Sequence, residues 1–476
     1  MRRFFITSKK ERTSLRADAK QSTRSDVREL AACRLPRLAK ALLAMTLVMV
    51  LSASGYAQDT TSHPSDWSFH FQATTIDQVH PDFHSLYQGS NSLQAHENDK
   101  ISVTSTVFVG WRMWNGGELY VNPEIAGGAG LSGASGVAGA LNGETYRIGS
   151  TAPELTVPFA RIYLQENIAL GNEMVSMPET LNQMPELQPA KRLTITIGKY
   201  SITDQFDANS ISHDPRSQFI NWSLMSAGAW DYPADTKGYT IGGTIEYITP
   251  DLSIRFASDM VAKVANGLIF DANFGKANSE TFEVEIPHSI LPNPGTIRVL
   301  GFYTIAHMGN YAQAIAQDSG HAPDITATRT YGRSKCGFEL NIDQQLGKNI
   351  SAFSRTSWND GKNETWMFTE IDRSFSAGIA YDGPFRKTGD DIIRGAIVVN
   401  GISDDHRKYL EAGGSGFILG DGKLNYGLEF IFEAQYATHI TTYFTLSADY
   451  QFVDNPGYNK DRGPAHVIAL RGHVEL

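Results

Sequence analysis

The stretch "AHVIALRGHVEL", residues 465–476, places Ile468, Leu470, Gly472, Val474 and Leu476 in one alternate register and Ala469, Arg471, His473 and Glu475 in the other. Such period-two alternation belongs to a strand with one apolar and one polar side. Chain ends are usually short polar tails unless something ties them down. Apolar alternation running to Leu476 therefore asks for a wall in which a last strand can find a partner. A closed barrel supplies one, because it has no free edge.

The same period recurs upstream. "WSFHFQATTI" sets Trp67, Phe69, Phe71 and Ala73 against Ser68, His70, Gln72 and Thr74. Further segments of this kind lie near 101–112, 117–125, 157–170, 192–200, 237–248, 252–260, 279–287, 295–305, 332–345, 348–358, 371–381, 391–401, 423–436 and 441–452, which with 67–76 and 465–476 makes sixteen. Many exceed the 5 or 6 residues typical of globular strands and match the roughly 9 to 11 that a tilted membrane strand needs. In "LNYGLEFIFEAQY" the set Leu424, Tyr426, Leu428, Phe430, Phe432, Ala434 and Tyr436 opposes Asn425, Glu429, Glu433 and Gln435. In "YFTLSADYQF" Phe444, Leu446, Ala448, Tyr450 and Phe452 oppose Thr445, Ser447, Asp449 and Gln451. Aromatic residues at the ends of an apolar face suit the interfacial girdles of an outer-membrane barrel. Tight connections ("NGG" at 115–117, "TPD" at 249–251, "LGKN" at 346–349) and long ones (126–156, 201–236, 306–331, 402–422) predict short periplasmic turns on one rim and long extracellular loops on the other. The expected fold is all-β, a 16-stranded antiparallel transmembrane β-barrel, with a soluble β-sandwich or propeller as the competing architecture.

Residues 1–57 differ from the rest. They hold 12 Lys and Arg against 4 Asp and Glu and end in "ALLAMTLVMVLSASGYA", a short apolar run followed by small residues. This is the pattern of a signal peptide with an extended basic region, and a run of that length is too short for a membrane helix. Residues 58–476 read as a single barrel domain with 29 basic and 47 acidic side chains, a net charge of −18. That charge argues against a nucleic-acid partner. Only Cys336 remains beyond the leader, so no internal disulfide supports the exported chain.

Longer blocks carry a resemblance. "LTITIGKYSITDQFDANSISHDPRSQFINWSLMSAGAWDYPADTKGYTIG" (193–242), "SWNDGKNETWMFTEID" (357–372), "YLEAGGSGFILGDGKLNYGLEFIFEAQY" (409–436) and "YQFVDNPGYNKDRGPAHVIALRGHVEL" (450–476) resemble the carbohydrate-selective porins of the OprB type, and the likeness runs through nearly all of 67–476. The resemblance implies an outer-membrane barrel of a Gram-negative bacterium that passes small sugars by passive diffusion. A general diffusion porin is the alternative, and an outer-membrane barrel enzyme a more distant one. Neither a GxSxG nor an HExxH pattern occurs, and 419 residues are too few for a 22-stranded plugged transporter. No cofactor or metal is expected. The expected partners are permeating sugars, outer-membrane lipid and the barrel-assembly machinery that reads the C-terminal strand, with a monomer and a homotrimer both open.

Strand parity nominates the lumen lining. Val103, Val107, Val109 and Trp111 outward turn Arg112 inward; Leu119, Val121 and Ile125 outward turn Glu118, Tyr120, Asn122 and Glu124 inward. Ala160, Ile162 and Leu164 outward leave Arg161, Tyr163 and Gln165 inward. These three strands form the expected eyelet, since weak sugar passage needs opposed charges, hydrogen-bonding groups and aromatic faces. Arg355, Arg394, Glu429, Glu433 and Arg471 are also inward, because a charge on the lipid face costs about 2 to 4 kcal/mol near the midplane. "AGGAGLSGASGVAGALNGE" (126–144) lacks the Lys-Ser or Lys-Thr of a phosphate cradle; it reads as a constriction loop ending near Glu144 or as a mobile external loop. "DQFDANSISHDPRSQFINW" gathers Asp204, Asp207, Asn209, Asp214, Arg216 and Asn221, either to line the entrance or to brace a long loop through side-chain hydrogen bonds.

Overall fold

The computed structural model describes residues 66–145, 159–289, 293–317, 320–386 and 389–476. The expected leader, 1–57, and the predicted strand start at 157–158 lie outside them.

Sixteen antiparallel strands close into one barrel. In chain order the first nine are β1 (Trp67–Val79), β2 (Lys100–Trp114), β3 (Gly117–Gly128), β4 (Phe159–Ala169), β5 (Met174–Met177), β6 (Glu186–Pro189), β7 (Arg192–Tyr200), β8 (Thr240–Thr249) and β9 (Leu252–Met260). The rest are β10 (Asn278–His288), β11 (Gly295–Ala306), β12 (Arg333–Gln345), β13 (Ile350–Asn359), β14 (Arg373–Asp382), β15 (Asp391–Gly401), β16 (Glu429–His439), β17 (Phe444–Asp454) and β18 (Ala465–Glu475). Strands β5 and β6 form a separate hairpin, and the other sixteen make the wall.

The seam closes where the sequence asks for it. β18 pairs with β1 from Gln72↔Glu475 to Val79↔Ile468. Phe71 and Leu476 exchange both backbone hydrogen bonds, at 3.0 and 2.9 Å, so the last residue satisfies its polar backbone inside the sheet. Parity is equally clear in burial: on β11, Val299 is 51% exposed and its neighbour Leu300 is 1% exposed. Aromatic pairs mark both rims of the outer face, with Trp67 stacked on Trp111 at 5.2 Å on one and Phe338 beside Trp358 at 5.8 Å on the other.

Two predicted strands shift. The alternation begun at 423 enters the wall only at Glu429, because Leu424–Leu428 runs beyond the rim and pairs with another connection: Tyr426 bridges to Asn459, and Gly427 N donates to Tyr458 O at 2.9 Å. Leu424 and Tyr426, expected outward, instead pack against an interior cluster. On β4 the outward place expected for Ala160 belongs to Phe159, which is 48% exposed, while Ala160 is buried. The cause is an irregularity in which the pairing jumps from Asn122↔Arg161 to Pro123↔Phe159.

Connections 115–116, 250–251, 346–349 and 440–443 turn tightly on the rim that also carries the start of β1 and the end of β18. The other rim carries the long connections 201–239, 307–332, 360–372 and 402–428. Much of this chain folds inward. Trp222, Trp230 and Tyr232 of 201–239 pack with Trp366 and Phe368 of 360–372 in one buried cluster. Glycines of the connection after β3 let inward segments approach closely. Gly139 lies so close to Ser223 Oγ that a Cβ would collide, and Gly136, at φ +82°, has its place against the Leu93 backbone.

Candidate functional site

The expected eyelet strands do come together. Arg112 Nη2 reaches Glu118 Oε1 at 3.4 Å, Tyr120 Oη donates to Glu118 Oε2 at 2.7 Å, and the Tyr120 and Tyr163 rings stack at 5.1 Å. They are not open to the lumen. The connection 170–191 covers them: Arg112 Nη2 donates to Pro185 O at 3.1 Å, Met184 N donates to Tyr120 Oη at 3.2 Å, and Asn122 Nδ2 donates to Asn182 Oδ1 at 2.8 Å.

Farther along β3 the partner is the long connection from the opposite rim. Arg216 is buried there and divides its fork between the wall and a second inward segment: Nη2 on Glu124 Oε2 at 2.8 Å, Nη1 on Gln72 Oε1 at 2.8 Å and Thr106 Oγ1 at 3.1 Å, and Nε on Glu144 Oε2, in the connection after β3, at 2.9 Å. Tyr239 Oη donates to the other Glu124 oxygen at 2.8 Å. Burial alone would lower the Arg216 pKa, but the Glu144 and Glu124 carboxylates outweigh it and hold the guanidinium well above its ordinary range. Arg161 closes on Asp204 with both nitrogens, at 2.6 and 2.5 Å, and its guanidinium lies 5.5 Å from the centre of the Tyr239 ring.

A third arrangement runs across β8 to β12. Arg255 contacts Glu246 at 2.7 Å, Glu283 at 2.8 Å and Glu285 at 3.1 Å; Arg298 then contacts Glu285 at 2.9 Å and Asp343 at 2.6 Å. Acid and base alternate along this ladder. The side chains of Arg255, Arg298, Glu285 and Asp343 keep 10 to 17% of their surface open, so they can exchange hydrogen bonds with a passing solute.

Residues 111–476 match the family model described as carbohydrate-selective porin, OprB family. The chain belongs to this family. It is therefore an outer-membrane porin, selective for carbohydrates and a channel rather than an enzyme. Among solved structures, this porin is similar to Pseudomonas putida OprB at high pH, with a TM-score of 0.64 at 15% identity over 86% of this chain and 94% of that one, a likeness that concerns the fold. Salmonella typhi OmpF in complex with daunomycin gives a TM-score of 0.47 at 8% identity, covering 86% of this chain and 97% of that one. Vibrio cholerae OmpT gives 0.46 at 9%, covering 88% and 100%. No curated protein matches the sequence.

The remaining nominated residues of this OprB-family porin tie inward chain to the wall. Arg355 bonds Asp207 Oδ1 at 2.8 Å and Leu224 O at 2.8 Å, and Asn209 Nδ2 donates to Asn341 Oδ1 at 2.8 Å. Glu429 accepts from Ala138 N, Gly139 N and Gly457 N at 2.8 to 2.9 Å; Glu433 accepts from Ile220 N and Asn221 N at 2.7 and 3.0 Å. Arg471 donates to Pro215 O and Gln218 O at 2.8 and 2.6 Å, and Arg394 donates to Gln435 Oε1 at 2.6 Å and Ser217 O at 3.3 Å. Of the two readings of 204–222, the structure supports bracing. The sequence reading overlooked the ladder, although parity on β9, β10 and β11 marks Arg255, Glu283, Glu285 and Arg298 as inward. It also overlooked 178–186, which carries no alternation to signal it.

Proposed function

We propose that small sugars diffuse through the part of the lumen left beside the braced loops, passing along the acid–base ladder of β8 to β12. The observation that carries this reading is the alternation itself. Glu246, Arg255, Glu285, Arg298 and Asp343 offer donors and acceptors in turn, already paired with one another. Sugar hydroxyls can replace such contacts one at a time without tight binding, which a channel requires. The loops supply rigidity. An inward segment held by Arg216, Arg355 and Glu433 keeps one cross-section, so solute size and hydrogen bonding decide what passes.

In this reading residues 1–57 are the export leader and β18 is the strand that the barrel-assembly machinery recognises. The assembly is a monomer or a homotrimer, which cross-linking in native membranes separates. The test of function is the full-length mature protein in liposomes and planar bilayers. Monosaccharides should swell loaded liposomes faster than amino acids of equal size. Equal rates would reduce the protein to a general porin, and no conductance would end the channel reading.

A further inference from the structure

The connection between β4 and β7 breaks the pattern of its rim. Neighbouring turns on that rim span 115–116 and 250–251, whereas this one runs from 170 to 191. It is built as a stem and a tip. The stem is the β5–β6 hairpin, paired from Met174↔Pro189 to Met177↔Glu186. The tip is a tight turn in which Thr180 and Gln183 exchange backbone hydrogen bonds at 3.0 and 3.2 Å.

The connection enters the barrel and touches three strands, through Glu179 and Asn182 of the tip and Glu186 of the stem. Glu179 Oε1 lies 3.3 Å from His70 Nε2 on β1, Glu186 Oε2 lies 3.5 Å from Arg112 on β2, and Asn182 accepts from Asn122 on β3. Asn122 stands midway along β3, so the tip reaches about half the height of the wall. Met184 is fully buried against Tyr120 and over Gly110, where a Cβ would lie 3.2 Å from the Met184 side chain. One inward step beyond Asn122 is Glu124, already held by Arg216 from the opposite rim. On this side of the barrel, the two inserted segments nearly meet.

We propose that residues 178–186 are a selectivity wedge: a fixed constriction, inserted from the turn rim, that fills the lumen over β1 to β3 and sets the size limit and path for permeating sugars. The wedge displaces the path around the rim. On the same rim, over β15 to β18, a cavity of about 500 Å³ is lined by Ser217, Asp391, Arg394, Thr445, His473 and Glu475. Beneath the wedge the wall meets protein: Tyr120 stacks on Tyr163 at 5.1 Å and accepts from Met184 N, and Arg112 and Asn122 bond to Pro185 and Asn182. The proposal rests on the porin reading.

The experiment uses the mature protein in planar bilayers, with two variants. In the first, residues 172–189 are replaced by a two-residue Asn-Gly turn, which suits a hairpin. Single-channel conductance should rise at least twofold, and liposomes should admit larger oligosaccharides than the unaltered protein does. The second guards against misfolding of the first. Glu179→Cys is made in a Cys336→Ser background and treated with a bulky charged thiol reagent, and the current should fall by half or more. Unchanged conductance and size limit in a folded deletion variant, or an unaffected current after confirmed labelling at 179, would overturn the wedge while leaving sugar passage intact. A silent unaltered protein would instead overturn the porin reading.

Discussion

Arg216 Nη2 and Glu124 Oε2 meet at 2.8 Å inside the barrel, joining the 201–239 connection to β3, while the same guanidinium holds Glu144 at 2.9 Å. One side chain thus ties two inward segments to one wall. Removing a partner from a buried pair costs about 3 to 5 kcal/mol, because the remaining charge stays unpaired. Arg216→Ala should therefore release 131–145 and 201–239 without opening the barrel. Hydrogen exchange read by mass spectrometry should show faster exchange at Ala138, Gly139, Ile220 and Asn221, with the wall strands still protected. Unchanged protection of those amides would mean that Glu429 and Glu433 hold the loops without Arg216.

The outward face makes a separate prediction. Val299 sits mid-strand on β11 and is exposed, paired with Val284 and Leu340 on its neighbours. Val299→Arg should cost about 2 to 4 kcal/mol of unfolding free energy in lipid vesicles, the expense of a cation at the bilayer midplane. A denaturant titration that shows no loss would place Val299 away from lipid.

The wall was legible in the sequence because period two is a local property. Each strand declares its two faces through residues such as Val299 and Leu300 without reference to any other strand, and sixteen alternating segments become sixteen wall strands. What fills the lumen was not legible in that way. Arg216 was noticed as part of a polar cluster, but its partners Gln72, Thr106, Glu124 and Glu144 come from four distant segments, and no spacing rule relates them. Parity correctly turned Arg112, Glu118 and Tyr120 inward. It could not show that Pro185 and Met184 would cover them, because an inserted loop obeys the barrel's packing and not its period. Where alternation runs past the rim, as at Leu424–Leu428, periodicity extends a strand that the wall has already ended.

Acidity offers a test on the loop rim. Glu370 lies in the 360–372 connection, off the membrane-spanning strands, and its Oε2 accepts from Ile418 N at 3.0 Å and Leu419 N at 2.6 Å. Burial pushes its carboxyl from 4.5 up to about 7, against the opposing pull of His406 and the two amides. The folded state thus favours the protonated form. Its stabilising contribution is complete below pH 4.5 and is lost as the pH rises through about 7. Loop melting, followed through the fluorescence of buried Trp366, should occur at lower temperature at pH 8 than at pH 5. Glu370→Gln should flatten that difference. Equal pH slopes in the two proteins would rule out Glu370 as its source.

Ion selectivity and sugar flux should respond together at Arg255. This side chain contacts Glu246, Glu283 and Glu285 together, at 2.7 to 3.1 Å. Arg255→Ala removes the positive charge from among three carboxylates, two of them partly open, so the reversal potential in a salt gradient should shift toward greater cation preference. A lost neutral hydrogen bond is worth roughly 0.5 to 1.5 kcal/mol, and sugar-driven liposome swelling should slow by about two- to tenfold. Arg255→Lys separates the two effects. It restores the charge and hence the ion preference, but a single ammonium cannot reproduce the fork that reaches three carboxylates at once, so sugar flux should remain reduced. If swelling recovers fully in the Lys variant, charge alone governs passage and the geometry of the ladder does not.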